Sequence, residues 1–353
     1  MSHPMPNAGA PLSASFADSQ LKERQPRIQP GAIIPERLSK ALVGFTLGGL
    51  AACGAVTLTN PMEVVKTRLQ LQGELARAQS GAALPMKPYS NIFQALKLIF
   101  RHEGLRGIQK GLGAAYGYQL MMNGARLGFY DPIKRLFNDT LGMDPAKRHH
   151  FICVMSGASA GVIGAALGSP LFLVKTRMQS YSPTAGVGHQ HYYRNTFAAL
   201  VQIYQSNGVR GLYRGMNAAI LRTGVGSSVQ LPTYEFTKSH LLASPLLDLQ
   251  DDVRTHLMSS LVSSFFVVLA MNPFDVVSTR MYNQKIDEIT GRGLLYRGPI
   301  DCLIKTVRTE GVKGLYKGIT AQYSRLGPHT IMTFVFYEQL KRLYGKHLST
   351  LDT

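Results

Sequence analysis

Residues 60–70, NPMEVVKTRLQ, decide the fold. Pro61 withdraws a backbone donor and kinks a helix. Glu63 and Lys66 follow three residues apart, so they share one helical face. Before them runs an uncharged stretch, 41–62, long enough to cross a bilayer. A kinked membrane helix bearing a carboxylate and an amine is costly unless something pairs or hydrates them. The chain writes the passage twice more, as SPLFLVKTRMQ (169–179) and NPFDVVSTRMY (272–282). Pro61, Pro170 and Pro273 stand 109 and 103 residues apart, which sets a repeat of about a hundred residues.

Composition supports a membrane reading. Of 353 residues, 45% are hydrophobic and 16% charged, and the apolar residues are segmented. Residues 151–174 and 257–274 carry no charge and join 41–62 as spanning candidates. The net charge of +18 first suggests nucleic acid. The basic residues, however, flank apolar runs, a pattern that fits anionic lipid and anionic solutes, so no nucleic-acid partner is expected. Cys53, Cys153 and Cys302 form no close pair, and the histidines at 149, 150, 189 and 191 fall in loops, so neither a disulfide framework nor a metal site is expected. No catalytic triad or phosphate loop is present, which argues against an enzyme. Residues 1–36, with six prolines and no long apolar core, read as a disordered tail.

Each repeat holds two spanning helices with an amphipathic one between them, over 37–142, 148–246 and 252–347. In the first, residues 38–71 form a long helix, and 89–102 form an interfacial helix with Ile92, Phe93, Leu96, Ile99 and Phe100 on one face. The small pairs Gly48/Ala52, Gly157/Gly161 and Ser260/Ser264 are expected to let neighbouring helices approach closely. Glu103-Gly104, Asn207-Gly208 and Glu310-Gly311 follow in register, each seven residues before Gly111, Gly215 or Gly318. The even helices (112–141, 216–242, 319–348) are less apolar and need a wet lumen shared among several. Each ends on an acid and a base: Asp131/Lys134, Glu235/Lys238 and Glu338/Lys341.

These three signatures, P-x-[DE]-x-x-[KR], [DE]-G and [FY]-[DE]-x-x-[KR], strongly resemble the mitochondrial carrier family over residues 37–347. The resemblance implies an all-α barrel of six transmembrane helices with pseudo-threefold symmetry, a monomer in the inner mitochondrial membrane. A central site would open alternately to either side. Within the family, NGARLGFYDP (123–132), GSPLFLVKTRMQSYS (168–182), RTGVGSSVQLP (222–232) and GPIDCLIKTVR (298–308) are most similar to the oxaloacetate-carrying branch. That similarity implies a small dicarboxylate, with sulfate or malonate as related solutes.

The resemblance also implies a matrix gate in which Glu63 pairs with Lys175 and Asp275 with Lys66, braced by Gln70 and Gln179. A third pair would need an acid at 172 and a base at 278. Phe172 and Ser278 stand there instead, so both members are lost together and no charge is stranded. At the cytoplasmic end Asp131–Lys238, Glu235–Lys341 and Glu338–Lys134 form the corresponding gate. Seven residues beyond Gly111, Gly215 and Gly318 stand Tyr118, Arg222 and Arg325, at the family's contact points. Two guanidinium forks and a phenol suit a dianion. Arg126 adds an asymmetric charge two turns on, and Gln119 and Thr223 suit a keto oxygen. No acid lies on the same helix before Tyr130, Tyr234 or Tyr337, so the arginines are expected to lack a carboxylate partner. His329 could carry a proton or serve as a plain hydrogen-bonding residue; both roles stay open. Tyr89, Tyr193 and Tyr296 are expected to open the interfacial helices. Free amides there and at Gly111, Gly215 and Gly318, with Arg214 and Lys317, suit a phosphate, and the resemblance implies cardiolipin. A non-saturable anion pore or scaffold is the competing class, and it needs neither paired gates nor a site.

Overall fold

The computed structural model describes residues 36–74, 88–143, 150–184, 186–243, 252–287 and 293–351, so the tail expected before residue 36 lies outside them. Six long helices dominate these residues: α1 (Glu36–Leu71), α3 (Leu112–Thr140), α4 (His150–Ser180), α6 (Met216–Ala243), α7 (Val253–Asn283) and α10 (Ile319–Leu351). Each has an internal proline, at Pro61, Pro132, Pro170, Pro232, Pro273 and Pro328. Shorter helices bridge each pair: α2 (Ile92–Ile108), α5 (Thr196–Leu212), and α8 (Pro299–Glu310) with its one-turn extension α9 (Val312–Leu315). The order is the expected twofold helix-and-bridge unit, three times over.

The long helices close a ring. Neighbours in sequence pack on one another, α3 on α4 and α6 on α7, and α10 returns to α1. Closure encloses a lumen, and burial is inverted relative to a soluble protein. Glu63, Lys66, Lys175 and Asp275 are buried, whereas Leu50, Leu58, Phe151, Leu167, Phe265 and Phe266 are exposed. Charges facing inward with an apolar exterior are what a bilayer requires. Phe151–Ser180 and Arg254–Asn283 are long and apolar enough to span by themselves. Part of the third candidate run, 41–62, falls on side chains outside the described ones.

Two local features depart from expectation. The bridging helices begin three residues after Tyr89, Tyr193 and Tyr296, because Asn91 and Asn195 cap them by accepting the Gln94 and Ala198 amides at 2.8 Å. The tyrosines therefore precede the helices. Close helix approach is also displaced: a Cβ at Gly48 would meet nothing, whereas one at Gly164 or Gly168 would strike Met122 or the Tyr118 ring. Close approach between α3 and α4 thus lies at Gly164 and Gly168, beyond the small pair Gly157/Gly161. Gly49 against Leu120 and Gly226 against Met271 are as tight, between α1 and α3 and between α6 and α7.

Candidate functional site

At the proline end α1, α4 and α7 converge, and the expected ion pairs form. Lys175 Nζ donates to Glu63 Oε1 at 2.6 Å, and Lys66 pairs with Asp275. Gln70 braces the second pair, its Nε2 donating to Asp275 Oδ2 at 2.9 Å while its Oε1 accepts the Thr279 hydroxyl at 2.8 Å. Gln179 departs from its expected role. Its carboxamide binds Thr67 and Asn60, each at 3.1 Å, and ties α4 to α1 without bonding to the Glu63–Lys175 pair.

The missing third pair is replaced by rings. Phe172 is buried between Tyr118 and Tyr282, with centroids 5.1 and 5.2 Å away, and the Tyr282 hydroxyl lies 3.0 Å from Ser169 Oγ. Ser278 Oγ is buried without a hydrogen-bond partner. Gly111, Gly215 and Gly318 press on this layer from the next helices. All three have positive φ (74°, 81° and 74°), and a Cβ there would crowd the Lys175 carbonyl, the Tyr282 ring or Gln70.

Just inside lie the two arginines. Arg222 is 8% exposed; its Nη2 donates to the Tyr118 hydroxyl at 3.3 Å, and its guanidinium carbon sits 4.7 Å above the Phe172 ring. The expectation that these arginines lack acids is corrected. Arg222 Nη1 lies 3.5 Å from Asp275 Oδ1, and Arg325 Nη1 lies 3.6 Å from Glu63 Oε1. The acids come from the odd helices, which inspection of each arginine's own helix does not reach. Both distances exceed the 2.7–2.9 Å of a strong charged hydrogen bond. The carboxylates' near partners are the lysines, and Nε of each arginine is buried without a partner. Four cations (Lys66, Lys175, Arg222, Arg325) therefore face two carboxylates (Glu63, Asp275), an excess of two positive charges.

Around this cluster, Gln119 Nε2 lies 3.2 Å from His329 Nε2, and Thr59 Oγ1 lies 3.4 Å from His329 Nδ1. His329 also lines a small cleft with Thr330, Thr333 and Phe334. Thr223 is buried beside Gly161, and the exposed Arg126 reaches the same glycine from α3. The site is thus assembled from α1, α3, α4, α6, α7 and α10.

At the far end Glu338 departs from the gate pairing expected between helices. Asp131 and Lys341 are exposed, and Glu338 instead bridges Arg342 at 2.6 Å along its own helix. The two ion pairs close the lumen at the proline end. Lys317, expected to face lipid, bonds Glu310 Oε2 at 2.5 Å and the Gln72 carbonyl at 2.8 Å. Two features escaped the sequence reading: Phe172 as the ring beneath Arg222, and the grip of Arg68 on Glu103 and of Arg280 on Glu310. The latter was signalled by a base recurring two residues after each gate position.

A family profile described as mitochondrial carrier protein matches residues 38–141, 147–245 and 250–348. A mitochondrial oxaloacetate transport protein of Saccharomyces cerevisiae is 51% identical over 302 residues, 85% of this chain and 89% of its own length. One from Schizosaccharomyces pombe is 52% identical over 303 residues, 86% and 91% respectively. Mitochondrial citrate transporter E of Aspergillus niger is 48% identical over 316 residues, 88% and 98%.

Proposed function

The chain belongs to the mitochondrial carrier family, transporters of the inner mitochondrial membrane, and on that premise we propose that it carries oxaloacetate. Sulfate, malonate and related dicarboxylates are its further solutes, moved by alternating access. The observation that carries this reading is the excess of two positive charges at mid-lumen, which a dianion neutralises. One carboxylate engages Arg222 and Tyr118, the other engages Arg325, and Gln119 and Thr223 serve the keto oxygen. The names of two relatives point to the same solute.

The geometry also links binding to the gate. Arg222 and Arg325 lean on Asp275 and Glu63, the carboxylates that close the matrix end. A dianion that takes both guanidinium groups removes two attractions holding those carboxylates in place. Only such differential contact shifts a conformational equilibrium. The matrix pairs then part, and the cytoplasmic pairs Asp131–Lys238, Glu235–Lys341 and Glu338–Lys134 join. Cardiolipin binds at the starts of the bridging and even helices, where Gly111, Gly215 and Gly318 stand and Arg214 is half-buried. The chain works as a monomer, since its own ring encloses the lumen.

A second reading is supported by Arg126, a third cation above the cluster, and by the citrate transporter among the relatives. A tricarboxylate would engage Arg126 as well. Uptake into reconstituted vesicles of oxaloacetate, malonate, sulfate, phosphate and citrate, with and without a pH gradient, tests both. Saturable uptake led by oxaloacetate supports the first reading; citrate leading, with loss in Arg126→Ala, supports the second. Uptake that never saturates contradicts both and indicates a pore.

A further inference from the structure

The three repeats differ at a place outside the central charge cluster. In the first, Arg68 grips Glu103 with two bonds of 2.6 and 2.9 Å, and Lys110 joins the same carboxylate at 2.5 Å. In the third, Arg280 grips Glu310 at 2.7 and 2.9 Å, and Lys317 joins at 2.5 Å. The equivalent residues of the second repeat are Arg177, Asn207 and Arg214. Both bases persist, but the acid has become a neutral carboxamide.

Arg177 is only 2% exposed. Its Nε donates to the Tyr282 carbonyl and its Nη1 to the Tyr193 hydroxyl, each at 3.1 Å, and both acceptors are neutral. Nη2 is buried and has no hydrogen-bond partner. Asn207 Oδ1 is occupied elsewhere, accepting the Ser206 hydroxyl at 3.2 Å. A buried guanidinium without a counter-charge is unfavourable, and its planar fork matches an oxyanion. The neighbouring imidazoles supply no counter-charge either. His189 and His191, with ring centroids 4.5 Å apart, are held neutral by burial and by the nearby Arg177, with His191 pushed down to about 3.

We infer that a small oxyanion (a phosphate, sulfate or carboxylate group) binds between Arg177 and Arg214, replacing the carboxylate that Glu103 and Glu310 supply in the other repeats. The site lies at the matrix end of α4, two residues beyond the gate residue Lys175, and is separate from the central cluster. The anion fixes the end of α4 to the start of α6, so occupancy stabilises the closed matrix gate. Free inorganic anion and a lipid headgroup phosphate present the same chemistry.

Thermal unfolding of the full-length protein in lipid nanodiscs tests this. Wild type, Asn207→Glu and Asn207→Gln are compared in zwitterionic discs with and without inorganic phosphate, and in phosphate-free discs containing cardiolipin. Wild type and Asn207→Gln are expected to shift upward in midpoint with anion. Asn207→Glu, carrying its own carboxylate, is expected to start higher and lose that part of the shift. Phosphate binding at the central arginines is common to all three proteins and drops out of the comparison. A differential shift with phosphate assigns the site to a free anion; one confined to cardiolipin discs assigns it to a headgroup. Equal responses of wild type and Asn207→Glu in both arms, with water alone completing Arg177, overturn the inference. Should Asn207→Glu not fold, Arg214→Gln reads the same loss.

Discussion

Phe172 and Ser278 replace an acid and a base that would have faced each other, and at the residue scale the exchange is more than a deletion. The Phe172 ring stacks between two tyrosines and lies under Arg222, which gains a cation–π contact beside its 3.5 Å approach to Asp275. Such a contact is worth about 2 kcal/mol when desolvated, and it leaves the guanidinium free to meet solute. Restoring Phe172→Asp together with Ser278→Lys adds a third matrix bridge of roughly 1–3 kcal/mol, so turnover in vesicles falls about 5- to 150-fold. Unchanged turnover would contradict the gate assignment. His329 uses both ring nitrogens toward Thr59 and Gln119. If it also carries the proton, His329→Gln keeps uptake but abolishes its response to a pH gradient; a retained response assigns the proton elsewhere.

At the scale of the element, the bridging helices show why three glycines recur. Gly104 holds φ 64° and ψ −161°, and Gly208 holds φ 62° and ψ −164°, a region essentially closed to other residues. Gly104→Ala is predicted to cost about 1–3 kcal/mol, read as a lowered unfolding midpoint. A midpoint equal to wild type would show that the kink is not needed. Glu103, just before it, is held at about 2 against an ordinary 4.5. Burial alone would raise it, but the bonds from Arg68 and Lys110 outweigh burial. Because the folded value is depressed, its stabilisation is complete above about pH 4.5 and is lost as pH falls toward 2. Glu103→Gln flattens that acid limb of the unfolding profile; an unaltered limb would place the loss on other carboxylates.

Much of this element order was legible, because Pro61, Pro170 and Pro273 keep their spacing and the same charged pattern follows them, less an acid at Phe172 and a base at Ser278. Helix starts were less so: Asn91 and Asn195 set them, while the tyrosines nearby drew the eye. The central cluster was legible as positions but not as partners. Arg222 and Asp275 are 53 residues apart, and only the packing of α6 against α7 brings them together. The same holds for Arg325 and Glu63, joined by the return of α10 to α1.

For the whole molecule, closure at the proline end follows from which charges meet. The matrix-side pairs are buried, where removing one partner leaves an uncompensated charge. At the far end Asp131, Glu338 and Lys341 are exposed, and exposed charges of this kind contribute little. On the proposed function, the two guanidinium groups at the proline end form a receptor that a solute of double negative charge completes. The most direct test is labelled oxaloacetate uptake into vesicles by wild type, Arg222→Ala and Arg325→Ala, with each variant's thermal unfolding recorded alongside. The prediction is saturable uptake by wild type and loss in both folded variants. Robust saturable uptake by either variant would contradict the site.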